Sequence, residues 1–502
     1  MSVLITYGSL AVFFALVIWI LHVAGRQDDT FTDYAVGGRA FGAVYQASSF
    51  LNTWWPGTIF IGFAGLSAAS GVVGFYALSY SLLTVLVMYG MSRRVWVWGS
   101  RFGLRTQSDL FALRFDSRHI RTVVAVIGIV SGFPWLVLGL QAMGVVLDRL
   151  SFGHISYNAA VLAGIVVLAV RQVWTIRMGM RGVVITDLFQ GAVAYLGGIL
   201  LIIALLVWLV VERGASFDAL PDEYFTIPGA ADGGPGPFYL FSLVFSGALG
   251  GWCWPGIFVR LYTANGVRSL KRSAFLGTPV SFLFYGLLTV MAMLAATMPA
   301  VRADPEGVWF TTAEAAMGAV GLAFAGVIVF AATMGYTDGT IQSSGAQFAN
   351  DIVGNYARLS DRRMVLVAKL GMVVYVLVAA VVATVKLPAL YTLAVLSYQG
   401  IIQLAVPQFL GIFWRRGNKY GAFAGMLVGF GLAIVLEAAW PTSLPWAGGL
   451  TSGIVALAVN LVIYVACAYL IPAGERDRQR VGGLFHSIWA PREPSAATVP
   501  QP

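Results

Sequence analysis

Charge is what this chain has least of. Asp, Glu, Lys and Arg make up 11% of its 502 residues and apolar side chains 59%, whereas a soluble domain is roughly 25% charged. That balance excludes a soluble globular protein and indicates a polytopic membrane protein. Cysteine is nearly absent, with only Cys253 and Cys467, so neither a disulfide framework nor a cysteine metal site is expected. The histidines His22, His119, His154 and His486 are scattered and form no ligand cluster. There is no paired-histidine metal motif, no phosphate-binding glycine loop with a lysine and no nucleophile elbow. No enzyme activity and no cofactor are therefore expected, beyond an ion moving with a cargo. No gap between apolar runs could house a nucleotide domain. The net charge of +9 sits in short loops, a positive-inside pattern rather than a nucleic-acid stripe.

What is abundant is apolar runs long enough to cross a hydrocarbon core of roughly 30 Å, about thirteen of them. They lie near 3–25, 44–69, 71–92, 120–147, 156–174, 182–211, 238–262, 272–298, 312–350, 364–385, 388–413, 418–439 and 448–471. The first lacks a basic leader and a cleavage site and is expected to stay as a helix. The ninth is long enough to bend or to run past the membrane. Basic residues cluster after the third, fifth, seventh, ninth and eleventh runs, for example Arg93, Arg94, Arg101 and Arg105, then Arg171, Arg177 and Arg181. The loop 212–237 is acidic, with Asp218, Asp222, Glu223 and Asp232. The first loop is mixed, since Asp28, Asp29 and Asp33 accompany Arg26 and Arg39. The basic loops are expected to be cytoplasmic, with the amino terminus outside and the tail inside a cytoplasmic membrane. Residues 473–502, rich in charge, Pro and Ala, read as a flexible tail.

One phrase occurs twice: Trp54-Trp55-Pro56-Gly57-Thr58-Ile59-Phe60 and Trp252-Cys253-Trp254-Pro255-Gly256-Ile257-Phe258. Proline removes an amide donor and glycine permits non-helical angles, so Pro56, Gly57, Pro255 and Gly256 are expected to break two membrane helices. Paired breaks in two halves of a chain point to a transporter binding site. The two segments run in opposite directions, as an inverted repeat of five plus five helices requires. The division expected is an extra helix and loop (1–43), a first half (44–211), an extracellular loop (212–237), a second half (238–413), two further helices (414–472) and the tail.

Ionisable groups inside a membrane are costly, which marks Asp187 and Asp338 as functional candidates. Asp338, among Thr333, Thr337, Thr340, Ser343 and Ser344, offers hard oxygens suited to a small cation, although such hydroxyls also bond their own helix. Asp187 either holds a cation or pairs with Arg181 at the interface. Candidate substrate contacts are Asn52, Trp54, Trp55, Thr58, Trp252, Trp254, Tyr398, Gln399 and Gln403, the last two sharing a helix face. No Lys or Arg is expected at the midplane, so a substrate carboxylate would rest on the positive end of a broken half-helix.

These motifs resemble the sodium:solute symporter family of bacterial proline, pantothenate, monocarboxylate and sugar cotransporters. The resemblance runs from about residue 30 to 440. It rests on Asp33-Tyr34-Ala35-Val36-Gly37-Gly38-Arg39, Arg105-Thr106-Gln107-Ser108-Asp109-Leu110 with Arg114-Phe115, Thr186-Asp187 with Gln190, Pro255 with Arg260, Phe413-Trp414-Arg415-Arg416 and Gly421-Ala422-Phe423-Ala424-Gly425. It implies an all-α leucine-transporter-type fold, alternating access, and sodium-driven symport of a small organic solute such as a monocarboxylate or amino acid. It places the family's sodium site at the Asn52 and Trp55 carbonyls opposite Ala332, Gly335 and Tyr336, where Gly335 and Tyr336 replace the usual hydroxyl residues. Thr333 or Thr337 could substitute, and Asp338 stands where many members carry an acid. Asp187 matches a conserved aspartate linked to a second sodium site or to ion release; before it, Met178 and Gly182 depart from the usual pair. Proton coupling through Asp338 or Asp187, uncoupled transport and a transporter-derived solute sensor are the alternatives.

Overall fold

A computed structural model describes residues 1–25, 30–227, 234–385 and 390–490. Arg26, Asp28, Asp29 and Asp232 of the expected loops, and the first residues of the run near 388, lie outside them. The chain opens with α1 (Ser2–Val23) and α2 (Phe31–Val36). It continues through α3 (Ala43–Trp54), α4 (Gly62–Ser70), α5 (Tyr76–Arg101), α6 (Gln107–Phe115), α7 (Arg118–Leu150), α8 (Tyr157–Gly191) and α9 (Gly198–Val207). Then follow α10 (Tyr239–Gly250), α11 (Pro255–Phe258), α12 (Arg260–Thr263), α13 (Val267–Ala295), α14 (Pro299–Ala303), α15 (Val308–Gln347) and α16 (Asp361–Ala383). The last are α17 (Leu390–Ile401), α18 (Gly411–Phe413), α19 (Lys419–Ala439), α20 (Ser452–Leu470) and α21 (Glu475–Ser487). Among the described residues nine continuous helical runs are long and apolar enough to cross a membrane, and Tyr239–Cys253 with Pro255–Thr263 forms a further run bent by 60°.

Some of these runs change direction at a glycine. Gly179 inside α8 has φ +60° and ψ −150°, which separates the apolar runs near 156–174 and 182–211. A Cβ there would also meet Tyr34 of α2. Gly318 turns α15 in the same way, so the long ninth run bends rather than continuing straight.

The core is built around α15, which packs against α1, α3, α7, α8 and α16. Every residue from Ile328 to Gln347 is buried. A helix enclosed on all sides needs no apolar stripe, which is why polar and small residues accumulate there. Helix α1 shows the opposite pattern: only Thr6, Leu10, Phe13, Val17 and Leu21 are buried, and its other faces suit lipid.

The expectation of a flexible tail from Ala473 is wrong for its first part. Helix α21 buries Val481, Leu484 and Phe485, and Trp98 Nε1 of α5 donates to the Leu484 carbonyl at 3.0 Å. Arg480 donates to the Leu113 and Arg114 carbonyls at the end of α6. The spacing i, i+3, i+4 of the three buried residues is a helical stripe, hidden in the sequence by the surrounding charge.

Candidate functional site

Both broken helices rest on α15. Helix α3 stops at Trp54, Trp55 leaves helical angles (φ −108°, ψ 89°) and a short turn spans Gly57–Ile59 before α4. Pro56 has no N–H, so the Asn52 carbonyl loses its helical partner; the Trp55 carbonyl accepts from the Tyr195 hydroxyl at 2.6 Å. Helix α10 ends before Trp254, whose ψ of 124° is extended, and α11 starts at Pro255. A Cβ on Gly57 would collide with Thr333 Oγ1 and the Val329 carbonyl of α15. One on Gly256 would come 3.2 Å from the Gly339 carbonyl oxygen and the Ser343 hydroxyl. On the α15 side, Gly335 and Gly339 are one turn apart and face Asn52 and Thr53 of α3. This is the small-residue spacing that lets membrane helices approach closely.

Between the breaks lies a cavity of about 30 Å³. Its walls come from six helices and the second break: Thr53 and Trp54 of α3, Phe63 of α4, Tyr80 of α5, Trp135 of α7, Trp254 at the second break, Tyr336, Thr340, Ser343 and Ser344 of α15, and Tyr398 of α17. Of the residues singled out in the sequence, Trp54, Pro56, Trp254, Pro255, Gly256, Tyr336, Thr340, Ser343, Ser344 and Tyr398 line it. Phe63, Tyr80 and Trp135 were not anticipated, because aromatics inside an ordinary span carry no sequence signal of their own.

Other candidates serve packing. Trp252 stacks on Phe50 with centroids 5.1 Å apart and donates to the Thr84 carbonyl. Gln399 accepts from the Gly453 amide at 2.7 Å, and Gln403 donates to the Gly453 carbonyl and accepts from Asn460 at 3.4 Å. Their shared helix face thus meets α20, although Gln399 also borders a smaller cavity beside the first. Thr333 and Thr337 donate to the Val329 and Thr333 carbonyls of their own helix. Thr58 and Ala332 are buried and do not line the cavity.

The two carboxylates each meet an arginine, contrary to the expectation that none would be buried at depth. Asp338 forms an ion pair with Arg171 of α8, both side chains fully enclosed. Gln172 Nε2 donates to Asp338 Oδ1 at 2.6 Å and Thr175 lies at 3.5 Å. Asp187 is 3.4 Å from Arg260 Nη2 and accepts from Ser49 Oγ at 2.6 Å and Asn52 Nδ2 at 2.9 Å. The Asp187 partner is therefore Arg260, not Arg181. Arg260 also donates to Thr53 Oγ1 through Nε at 3.1 Å and Nη2 at 2.7 Å. An ion pair to Arg260 and the two Arg260–Thr53 hydrogen bonds thus connect Asp187 to the wall of the cavity. Arg171 and Arg260 stand at the ends of apolar runs, where a sequence reads them as interfacial; two intramembrane carboxylates needing counter-charges were the available signal.

The Asn52 side chain occupies the place that a side chain at position 335 would take, since a Cβ on Gly335 would overlap its carboxamide. Asn52 and Gly335 are therefore a matched pair: a side chain at 335 would displace the Asn52 carboxamide from its place.

On the side of the basic loops, Gln107 Nε2 donates to the Cys253 carbonyl at 3.0 Å, next to the second break, and to Gln408. Thr106 and Asp109 form a capping box at the start of α6, and Arg121 bridges Asp109 and Asp351. Arg114 donates to the carbonyls of Gly411, Trp414, Arg415 and Gly417. The motif around residues 105–115 thus fastens helix ends.

Comparison with known proteins agrees with this architecture. The chain is 26% identical over 489 residues to a monocarboxylate transport permease protein of Rhizobium johnstonii, covering 92% of this chain and 96% of that one. It is 25% identical over 436 residues to the sodium/pantothenate symporter of Escherichia coli, covering 82% and 86%. An uncharacterized symporter of Bacillus subtilis is 23% identical over 481 residues, covering 88% and 92%. Among solved structures, a Na+-coupled sialic acid symporter in a substrate-bound outward-open state superposes with a TM-score of 0.74 at 17% identity, covering 94% of this chain and 99% of that one. Mhp1, a nucleobase-cation-symport-1 family transporter, superposes with a TM-score of 0.56 at 13% identity, covering 91% and 99%. The fold is the leucine-transporter type with its five-plus-five inverted repeat. Residues 34–429 match the sodium:solute symporter family, and the chain belongs to that family.

Proposed function

We propose that this protein is a secondary active transporter importing a small organic solute across the cytoplasmic membrane by alternating access, in symport with a cation, sodium first. The observation that carries the reading is that two broken helices seat on one buried helix and border an aromatic cavity whose lining holds no charged side chain. Membership of the family and the sodium coupling of the similar Escherichia coli pantothenate and sialic acid symporters support sodium as the coupling ion. The unpartnered Asn52 carbonyl at the first break is the sodium ligand best placed for it. The basic loops face the cytoplasm in this reading, with the amino terminus outside.

One observation favours a second reading. Both buried carboxylates already hold arginines, and the Asn52 carboxamide fills the space beside Gly335. That arrangement leaves neither carboxylate free for a sodium ion, and it suits transport without coupling, or coupling to a proton taken up when an arginine pair opens. Proteoliposome uptake separates the two. An inward sodium gradient is expected to drive accumulation above equilibrium, abolished by a sodium ionophore. Accumulation driven by a proton gradient alone would transfer coupling to the proton. Exchange without accumulation would show uncoupled transport, and binding without exchange would show a sensor.

A further inference from the structure

Resting on the transporter reading, we propose that α21 is a releasable latch that holds the pathway closed on the side of the basic loops. Helix α21 follows the last long helix, α20, and docks back across three elements. Its contact stripe is Val481, Leu484 and Phe485, continued by Ile488, all buried. On α5, Trp98 meets the Phe485 ring edge to face at 5.5 Å and donates to the Leu484 carbonyl, and the Arg93 guanidinium lies 4.1 Å from the centre of the Trp489 ring. On α6, the Leu113 and Arg114 carbonyls accept from Arg480 at 2.7 and 3.0 Å. Just beyond α18, Arg415 lies 5.4 Å from the Phe485 ring, which also takes Arg94 of α5 at 5.9 Å and Arg114 of α6 at 5.8 Å. One ring thus gathers guanidiniums from three elements, whose like charges would otherwise favour separation.

What α21 grips leads to the second break. Gln107, the first residue of α6, donates to the Cys253 carbonyl at 3.0 Å and to Gln408 at 2.6 Å, and Gln408 donates to the Trp252 carbonyl at 2.9 Å. These bonds fasten the second break to α6 and to the stretch just before α18. A path from the cavity past Cys253 requires them to part. By fixing α6 and the turn after α18 against α5, α21 opposes that parting. The helix is also built to let go. Gly482 and Gly483 sit in its middle, where glycine weakens a helix relative to alanine. A Cβ at either position would meet nothing within 4 Å, so packing does not call for glycine there. A helix of 13 residues with two central glycines does not persist in water without support. Its docking and its folding are therefore one event, open to reversal.

The test reads Cys253, buried at the second break and the sole thiol once Cys467→Ser is introduced. The rate at which N-ethylmaleimide labels it is measured in full-length protein in proteoliposomes, with no cargo present. Leu484→Ala with Phe485→Ala undocks the helix and should raise that rate at least about fivefold. Gly482→Ala with Gly483→Ala favours the helix and should lower the rate at least about threefold. Opposite shifts from two changes in one helix separate a latch from a general loss of fold, which would only speed labelling. An unchanged rate in the first variant overturns the proposal. So does faster labelling in the first without slower labelling in the second. Neither result bears on the transporter reading, since labelling is read without cargo; failure of uptake in the parent protein overturns that reading by itself.

Discussion

Arg171→Met alone should destabilise the folded protein by about 3–5 kcal/mol, because it leaves Asp338 charged and unpaired in a fully enclosed site. The expected sign is the same for Asp338→Asn, which strands the guanidinium. In both cases little folded protein should be recovered from membranes, and what is recovered should melt at a clearly lower temperature. The double variant Arg171→Met with Asp338→Leu replaces the pair by apolar groups. It should regain most of that loss, since a buried pair is about as stable as well-packed hydrophobic substitutes. Gln172 and Thr175 would then lack their acceptor, so recovery should stop short by about 1–2 kcal/mol. Thermal unfolding of the parent, Arg171→Met, Asp338→Leu and the double variant in one detergent measures the cycle, with Asp338→Asn melted beside them. The result also distinguishes a structural pair from a coupling site. If Asp338→Asn folded and melted like the parent yet lost only gradient-driven uptake, the pairing would be incidental and the carboxylate would serve the coupling ion.

The second large effect concerns the matched residues at positions 52 and 335. Gly335→Ser should cost roughly 1–3 kcal/mol, the range for forcing extra atoms into a filled interior. It should also lower uptake at least tenfold, because α3 is displaced next to the break that forms the cavity. Adding Asn52→Ala removes the overlapping carboxamide and should restore most uptake and part of the stability, stopping short by about 1–2 kcal/mol because Asp187 loses the hydrogen bond from Asn52. The restored double variant places a hydroxyl beside the first break, near the unpartnered Asn52 backbone carbonyl. Sodium should therefore raise its melting temperature more than it raises that of the parent, by mass action on the folded state. Equal sodium shifts in the two proteins would exclude this position as the sodium site.

Much of the architecture was legible because it follows from hydropathy and from two residue types. Apolar runs set the spans, and proline with glycine set the breaks at Trp55–Gly57 and Trp254–Gly256. The partners within the core were not legible. Periodicity places Gln399 and Gln403 on one face, but nothing local says that this face meets Gly453 and Asn460 rather than the cavity. Arg171 and Arg260 look like interface residues because each closes an apolar run, and only the packing of α8 and α12 against α15 and α3 turns them inward. Thr53 was passed over between Asn52 and Trp54, although the hydroxyl is the residue that joins Arg260 to the cavity. The helical stripe of α21 was present in the sequence but masked by composition, since six of the residues from Glu475 to Arg480 are polar or charged.

The two buried ion pairs have a consequence for membrane voltage. One elementary charge crossing the full field is worth about 2.3 kcal/mol per 100 mV. Asp187 with Arg260, and Asp338 with Arg171, sum to zero, so rearranging this part of the empty carrier moves dipoles rather than net charge. The membrane potential then does its work on the cargo and its coupling ion. Charge-movement recordings should show little current from these groups when the unloaded protein reorients, whereas a folded variant that neutralises Asp338 alone would make the empty return step voltage-sensitive.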